Sequence, residues 1–170
     1  MTPRAGLLAL LWGLTGVLYL IIVLWSLPMI AGEAEDILPF DLRPLGYSLG
    51  EAGAFLNALS DAGRAQYLGP QRWLDVAFPV CLAAALLVSF SRLFPRRVAW
   101  ALGAVAVLGM LADLSENHTV REMLVAEAVD AETVARASMF TLVKSLCATV
   151  AMTAVLIGAG RALWRRWRAS

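Results

Sequence analysis

Apolar residues fill four stretches of the chain almost without charge: Gly6 to Ile30, Trp73 to Phe94, Val98 to Leu114 and Ser138 to Gly160. About 20 helical residues cross the ~30 Å hydrocarbon core of a bilayer, so each stretch reads as a membrane-spanning helix. The third is the shortest, yet its helical pattern continues through Ser115 to Ala126. Together the four predict an antiparallel bundle of four transmembrane helices occupying 6–30, 73–94, 98–114 and 138–160, one all-α membrane domain spanning 1–170. The first stretch is too long for the core of a cleaved signal peptide and is read as a retained helix.

The polar intervals differ in kind. Residues 31–72 are interrupted by Pro39, Pro44 and Gly46, after which Ser48 and Glu51 have the spacing of a capping box. Leu49, Ala52, Phe55, Leu56 and Leu59 then recur at helical spacing, which predicts a short amphipathic helix over 48–59. Ser60 or Asp61 caps a second short helix, 61–68, and Gly69-Pro70 opens the next membrane helix. This interval should fold as a lid over one end of the bundle. The segment from Ser115 to Arg136 reads as extensions of the third and fourth helices, broken near Val129 and restarted with Asp130 as N-cap.

Composition agrees with lipid as the main solvent. Hydrophobic residues make up 60% of the chain, against about 45–50% in soluble domains, and mean hydropathy is +0.72. Charge is strongly polarised behind a net value of +1. Arg4, Arg92, Arg96, Arg97, Arg161, Arg165, Arg166 and Arg168 occupy the two tails and the short second loop, which hold no acid; the acids lie in the other two loops or at the helix ends beside them. The positive-inside rule places both termini in the cytoplasm, and the C-terminal arginines mark topology rather than nucleic-acid binding. Cys81 and Cys147 fall inside apolar runs and are read as small packing residues without a disulfide.

Against this background Lys144 is conspicuous. It is the only lysine, and it lies inside the uncharged stretch from Ala137 to Gly160. Counted from Ser138, it sits about six residues, or ~9 Å, inside the fourth helix. Asp75, Asp113 and Glu116 fall at matching depth on the second and third helices. Pro79 cannot donate to the Asp75 carbonyl, which leaves that oxygen for another partner. Gly103, Ala106 and Gly109 on one helix, and Ala137, Thr141, Ala148 and Ala151 on the other, permit close approach. The expected site is therefore a buried cluster of Asp75, Asp113, Glu116 and Lys144, the candidates for any acid/base chemistry. Arg64, Tyr67, Asn117 and His118 are candidate ligand-binding groups around it. The alternative is structural: a lysine that snorkels to water, or ion pairs that only lock the helices. No two-histidine metal motif is present, and an ammonium would oppose a cation, so neither metal nor cofactor is expected. Phosphate-loop, dinucleotide, haem-attachment and serine-hydrolase motifs are absent.

The series Gly63-Arg64 with Tyr67, then Asp75-Val76-Ala77-Phe78-Pro79, then Ala112-Asp113-Leu114-Ser115-Glu116-Asn117 resembles a family of small bacterial four-helix integral membrane proteins of uncharacterised function. The likeness runs from Tyr47 to Asn117 and extends to the four-helix layout. It implies an inner-membrane protein and supplies no activity, cofactor or catalytic assignment. Three classes of function stay open: a site for a lipid or other small amphiphile, with or without acid/base chemistry on it; a non-enzymatic subunit whose charges hold helices in register and whose partner is another copy or another protein; and, ranked last, a proton-coupled carrier. Membrane lipids are the expected surroundings and nucleic acid is not an expected partner.

Overall fold

The structure, a computed structural model, describes residues 3–169 and contains no β-strand among them. Helix α1, Pro3–Ile21, continues through a π-helical turn, Ile22–Ser26, into α2, Leu27–Gly32. Helix α3 covers Leu49–Ala58, and α4, Asp61–Gln66, passes through a second π-turn, Tyr67–Gln71, into α5, Arg72–Leu93. Helices α6, Arg96–Val125, and α7, Ala131–Ala169, complete the chain. Four of these rods, Gly6–Gly32, Asp61–Leu93, Arg96–Val125 and Ala131–Arg168, are long and apolar enough to cross a membrane.

The sequence places a short helix at 61–68 and a membrane helix from about 73; the structure has α4 over Asp61–Gln66 and α5 from Arg72, joined without interruption by the π-turn Tyr67–Gln71 into one rod from Asp61 to Leu93. Pro70 has no N–H to return to the preceding turn, and a π-turn, with its wider ring, carries the helix past that gap. The same device occurs at Ile22–Ser26, just before Pro28. The two π-turns pack against each other, and across the neighbouring turns Gln66 Nε2 donates to Ser26 Oγ at 2.9 Å, both residues buried.

Helix α5 packs against α1, α6 and α7, and α6 packs along α7. Glycine makes two of these approaches feasible. A Cβ at Gly103 would lie 2.9 Å from Leu87 Cδ2, and one at Gly109 would lie 2.9 Å from Cys147 Cβ. Helices α1 and α7 stay largely apart, which leaves a groove between them floored by α5 and α6. The outward faces are apolar: Leu24 is 71% exposed, Trp100 71% and Leu156 69%, as a surface solvated by lipid requires.

The core is divided. One cluster, at the end carrying residues 33–60, gathers Ile30, Phe40, Phe55, Tyr67, Met123 and Val134. A second, nearer the other end, comprises Leu86, Phe90, Ala106 and Ala151. Helix α3 starts with the expected capping box: Glu51 N–H donates to Ser48 Oγ at 3.3 Å, and Ser48 N–H donates to Glu51 Oε2 at 2.7 Å. The Ser48 hydroxyl, which donates to Glu51 Oε2 at 2.7 Å, and the Ser48 N–H hold the Glu51 carboxyl below the usual range. The segment preceding α3 then crosses the bundle end as a strap. Phe40 packs tilted against Tyr47 and edge-to-face against Phe55, with ring centroids 4.7 and 4.9 Å apart, and Tyr47 N–H donates to Ser138 Oγ of α7 at 2.9 Å. Gly46, at φ +80°, supplies the left-handed residue this crossing needs, and a side chain there would collide with Ser138 Oγ. Asp130 caps α7 as expected, accepting from Thr133 N–H at 2.8 Å. Both cysteines are free thiols.

Candidate functional site

Helix pairing brings three carboxyl groups, Asp75, Asp113 and Glu116, to the level of one ammonium. Lys144 Nζ of α7 lies 2.7 Å from Glu116 Oε2 and 3.2 Å from Asp113 Oδ1, both on α6. The two acids are not equivalent. The Glu116 side chain is 1% exposed and sits behind the lysine, whereas Asp113 is 19% exposed and borders the groove. A single helical turn separates the two acids, so one lysine reaches both. Thr141, one turn before Lys144 on α7, is buried and returns its hydroxyl to the Ala137 carbonyl at 3.2 Å.

Asp75 enters from α5. Gln71, one turn earlier and fully buried, donates Nε2 to Asp75 Oδ1 at 2.6 Å. Pro79 leaves the Asp75 carbonyl without its helical donor, and Asn117 of α6 fills that place, Nδ2 to carbonyl oxygen at 3.0 Å. The same amide nitrogen is 3.4 Å from Asp113 Oδ1, at the long end for a hydrogen bond. The gap that Pro79 leaves in the helical hydrogen bonds and the charged cluster are thus joined by one side chain.

The strap contributes the fourth acid. Asp41 Oδ2 accepts from the Tyr67 hydroxyl at 2.6 Å, and Asp41 borders the same groove as Asp75, Asp113 and Lys144. Tyr47, also on the strap, has its phenol pushed well above the usual tyrosine range by burial, reinforced by the charge of Glu116; it remains a proton donor at any physiological pH.

The groove has a volume of about 550 Å³ and runs from this polar end down between α1 and α7. Its walls are apolar or aromatic, including Trp12, Tyr19, Phe78, Leu82 and Met152. Gly16 faces it from α1 with open space where a side chain would project. Behind Asp75 lies a smaller hollow of about 210 Å³, bordered by Tyr67, Arg72, Asn117, His118 and Arg121. Asp75 borders both spaces.

Of the residues singled out in the sequence, Asp75, Asp113, Glu116, Lys144 and Asn117 converge, and Tyr67 touches the cluster through Asp41. Arg64 does not join them. Its guanidinium donates to the Leu124 carbonyl, where it satisfies an orphan oxygen at the end of α6. His118 points outward as well, 74% exposed and 3.4 Å from Glu122. A helix places i and i+1 about 100° apart, so the residue after Asn117 faces away from the cluster. Asp41 and Gln71 escaped the sequence reading. Gln71 could have been found from its i, i+4 spacing to Asp75; Asp41 lies in a single 3₁₀ turn, Phe40–Leu42, too short for periodicity to give a direction. Among the described residues no group of three acid, histidine or cysteine side chains is close enough to hold a metal ion. No known protein family matched the chain, and neither characterised proteins nor experimentally solved structures gave a significant match.

Proposed function

We propose that the chain is a multi-pass inner-membrane protein with cytoplasmic termini and four antiparallel spanning helices, and that it holds an amphiphile in the groove between α1 and α7. In this reading α3 and the strap lie on the extracytoplasmic side, and the headgroup meets Asp41, Asp75, Asp113 and Lys144. The observation that carries the proposal is the groove itself: about 550 Å³, apolar along its length and ending at a charged cluster, which is the distribution of polarity in a lipid-like molecule. A pair of ionic bridges that only locked α6 to α7 would need neither the gap between α1 and α7 nor two further acids bordering it.

Acid/base chemistry on the bound molecule is a second step beyond this, favoured by the juxtaposition of Lys144 with Asp113 and Glu116 at 3.2 and 2.7 Å. The first test is for occupancy. Protein purified in mild detergent should carry one enriched amphiphile, detected by mass spectrometry of the extracted small molecules. Gly16→Phe, which fills the groove from a position with no neighbour to clash with, should lose it while eluting as the same monodisperse species. Identical bulk lipid on both proteins would remove the binding reading and leave the charged cluster as a helix lock.

A further inference from the structure

The groove's polar end is rich in acceptors and poor in donors. Glu116, at 1% exposure, lies behind the Lys144 ammonium at 2.7 Å and does not border the groove, so it neutralises that charge from the far side. Asp41, Asp75 and Asp113 remain on the open face as three carboxyl groups against a lysine already engaged by two acids. Few donors reach these acids: the Tyr67 hydroxyl on Asp41, the Gln71 amide on Asp75, and the Asn117 amide between the Asp75 carbonyl and Asp113; the Tyr19 and Ser145 hydroxyls also border the groove but make no bond to them. The Tyr47 hydroxyl is a donor nearby but does not border the groove.

A second observation points the same way. Gln71 is fully buried beside Asp75, to whose carboxyl its amide donates, and Gln71 Oε1 accepts nothing. Buried acceptors in native proteins are seldom left without a donor. A group complementary to this end brings N–H or O–H donors and positive charge together. From the sequence, Lys144 was expected to repel a cation; its pairing with Glu116 and Asp113 removes that objection.

Resting on the groove as an amphiphile site, we infer that the molecule it selects carries a hydrogen-bond-donating cationic head, an alkylammonium, whose charge lies among the groove-bordering acids Asp41, Asp75 and Asp113 while its chain lies along the α1–α7 groove. A neutral head would leave the carboxyl groups uncompensated, and a sulfate or phosphate head would face three of them at close range. The ammonium could belong to a simple amine or to an aminophospholipid, and the two share this recognition.

Isothermal titration of the whole protein in a maltoside detergent tests it, with octylammonium, octanol and octyl sulfate as probes below their micellar concentrations. Octylammonium should bind saturably and at least tenfold more tightly than the other two. Asp75→Asn and Asp41→Asn, the second lying on the strap outside the packed helices, should each weaken it about tenfold, and Gly16→Phe should abolish it. Octanol or octyl sulfate binding as tightly as octylammonium, yet still lost in Gly16→Phe, would overturn the head preference while leaving the groove as an amphiphile site. Octylammonium binding indifferent to both Asp→Asn changes would overturn it too, as partition without recognition. If no probe responds to Gly16→Phe, the groove reading itself fails and this inference with it. Competition by lysophosphatidylethanolamine but not lysophosphatidylcholine assigns the ammonium to a phospholipid; competition by octylammonium alone assigns it to a free amine; equal competition by both lysolipids contradicts the need for N–H donors.

Discussion

Lys144 is gripped from behind by an acid with almost no exposure and from the side by one that reaches the groove. Removing a partner from a buried ion pair typically costs 3–5 kcal/mol, because the other charge is left without compensation. Lys144→Met should therefore lower stability by about 3–5 kcal/mol. Combining it with Glu116→Gln should recover most of that loss, as read from thermal unfolding in detergent; a double variant no more stable than the single one would mean that Glu116 is not the partner that matters. Asn117→Leu takes the donor from the Asp75 carbonyl that Pro79 cannot serve, and should cost about 1–3 kcal/mol in the same assay. Much of this was legible beforehand. A lone lysine among apolar residues, acids at equal depth and a proline four residues after Asp75 are each visible in one dimension. What could not be read was which acid sits behind the lysine and which faces outward, since that depends on the rotation of α6 against α7.

At the scale of elements, the capped starts of α3 and α7 followed from local chemistry and appear where Ser48 and Asp130 put them. The Asp130 carboxyl is held below its usual range by the N–H and hydroxyl of Thr133. Its folded value lies under its unfolded one, so the cap is fully present at neutral pH and weakens as pH falls through the lowered value. Protection factors at residues 131–134, measured by NMR against the intrinsic exchange rate at each pH, should fall on acidification before those in the middle of α7 do. The π-turns were not legible. Hydrophobic periodicity registers that a helix exists, and a single extra residue per turn at Ile22–Ser26 or Tyr67–Gln71 is within its noise. The strap was legible only as irregular chain, and its route depends on Gly46. Gly46→Ala puts a side chain against Ser138 at a backbone angle that L-residues avoid, so hydrogen exchange across 37–48 should rise while α6 stays protected. Unchanged exchange in the strap would show that its crossing does not depend on that turn.

Over the whole molecule, four apolar rods and a segregation of charge describe how the chain lies in a membrane. The 39 residues of α7 make it about 58 Å long at 1.5 Å per residue, longer than a bilayer's hydrocarbon core, so it projects beyond the lipid. Its two ends differ: one carries Arg165, Arg166 and Arg168, with Arg168 stacked 3.9 Å over the Trp164 ring, and the other begins at the acidic Asp130 cap. The proposed orientation makes Glu127 extracytoplasmic and Ser91 cytoplasmic. In a Cys81→Ala, Cys147→Ala background, Glu127→Cys should react with a membrane-impermeant maleimide in intact cells. Ser91→Cys should react only after permeabilisation, and the reverse pattern would refute the orientation. The number of candidate spans was readable because it depends on summed hydropathy. The separation of α1 from α7 was not, because a gap leaves no mark in the residues that border it.

Asn117 gives the missing rung of α5 a mechanical consequence. Pro79 removes one rung from that helix, and a neighbour supplies the replacement from outside. A joint that borrows its rung cannot flex by itself. Bending or straightening α5 at that level pulls on α6 through Asn117, and through Asp113 on Lys144 of α7. Three rods share one fulcrum, so a movement that widens the groove near Asp75 is a movement of all three together.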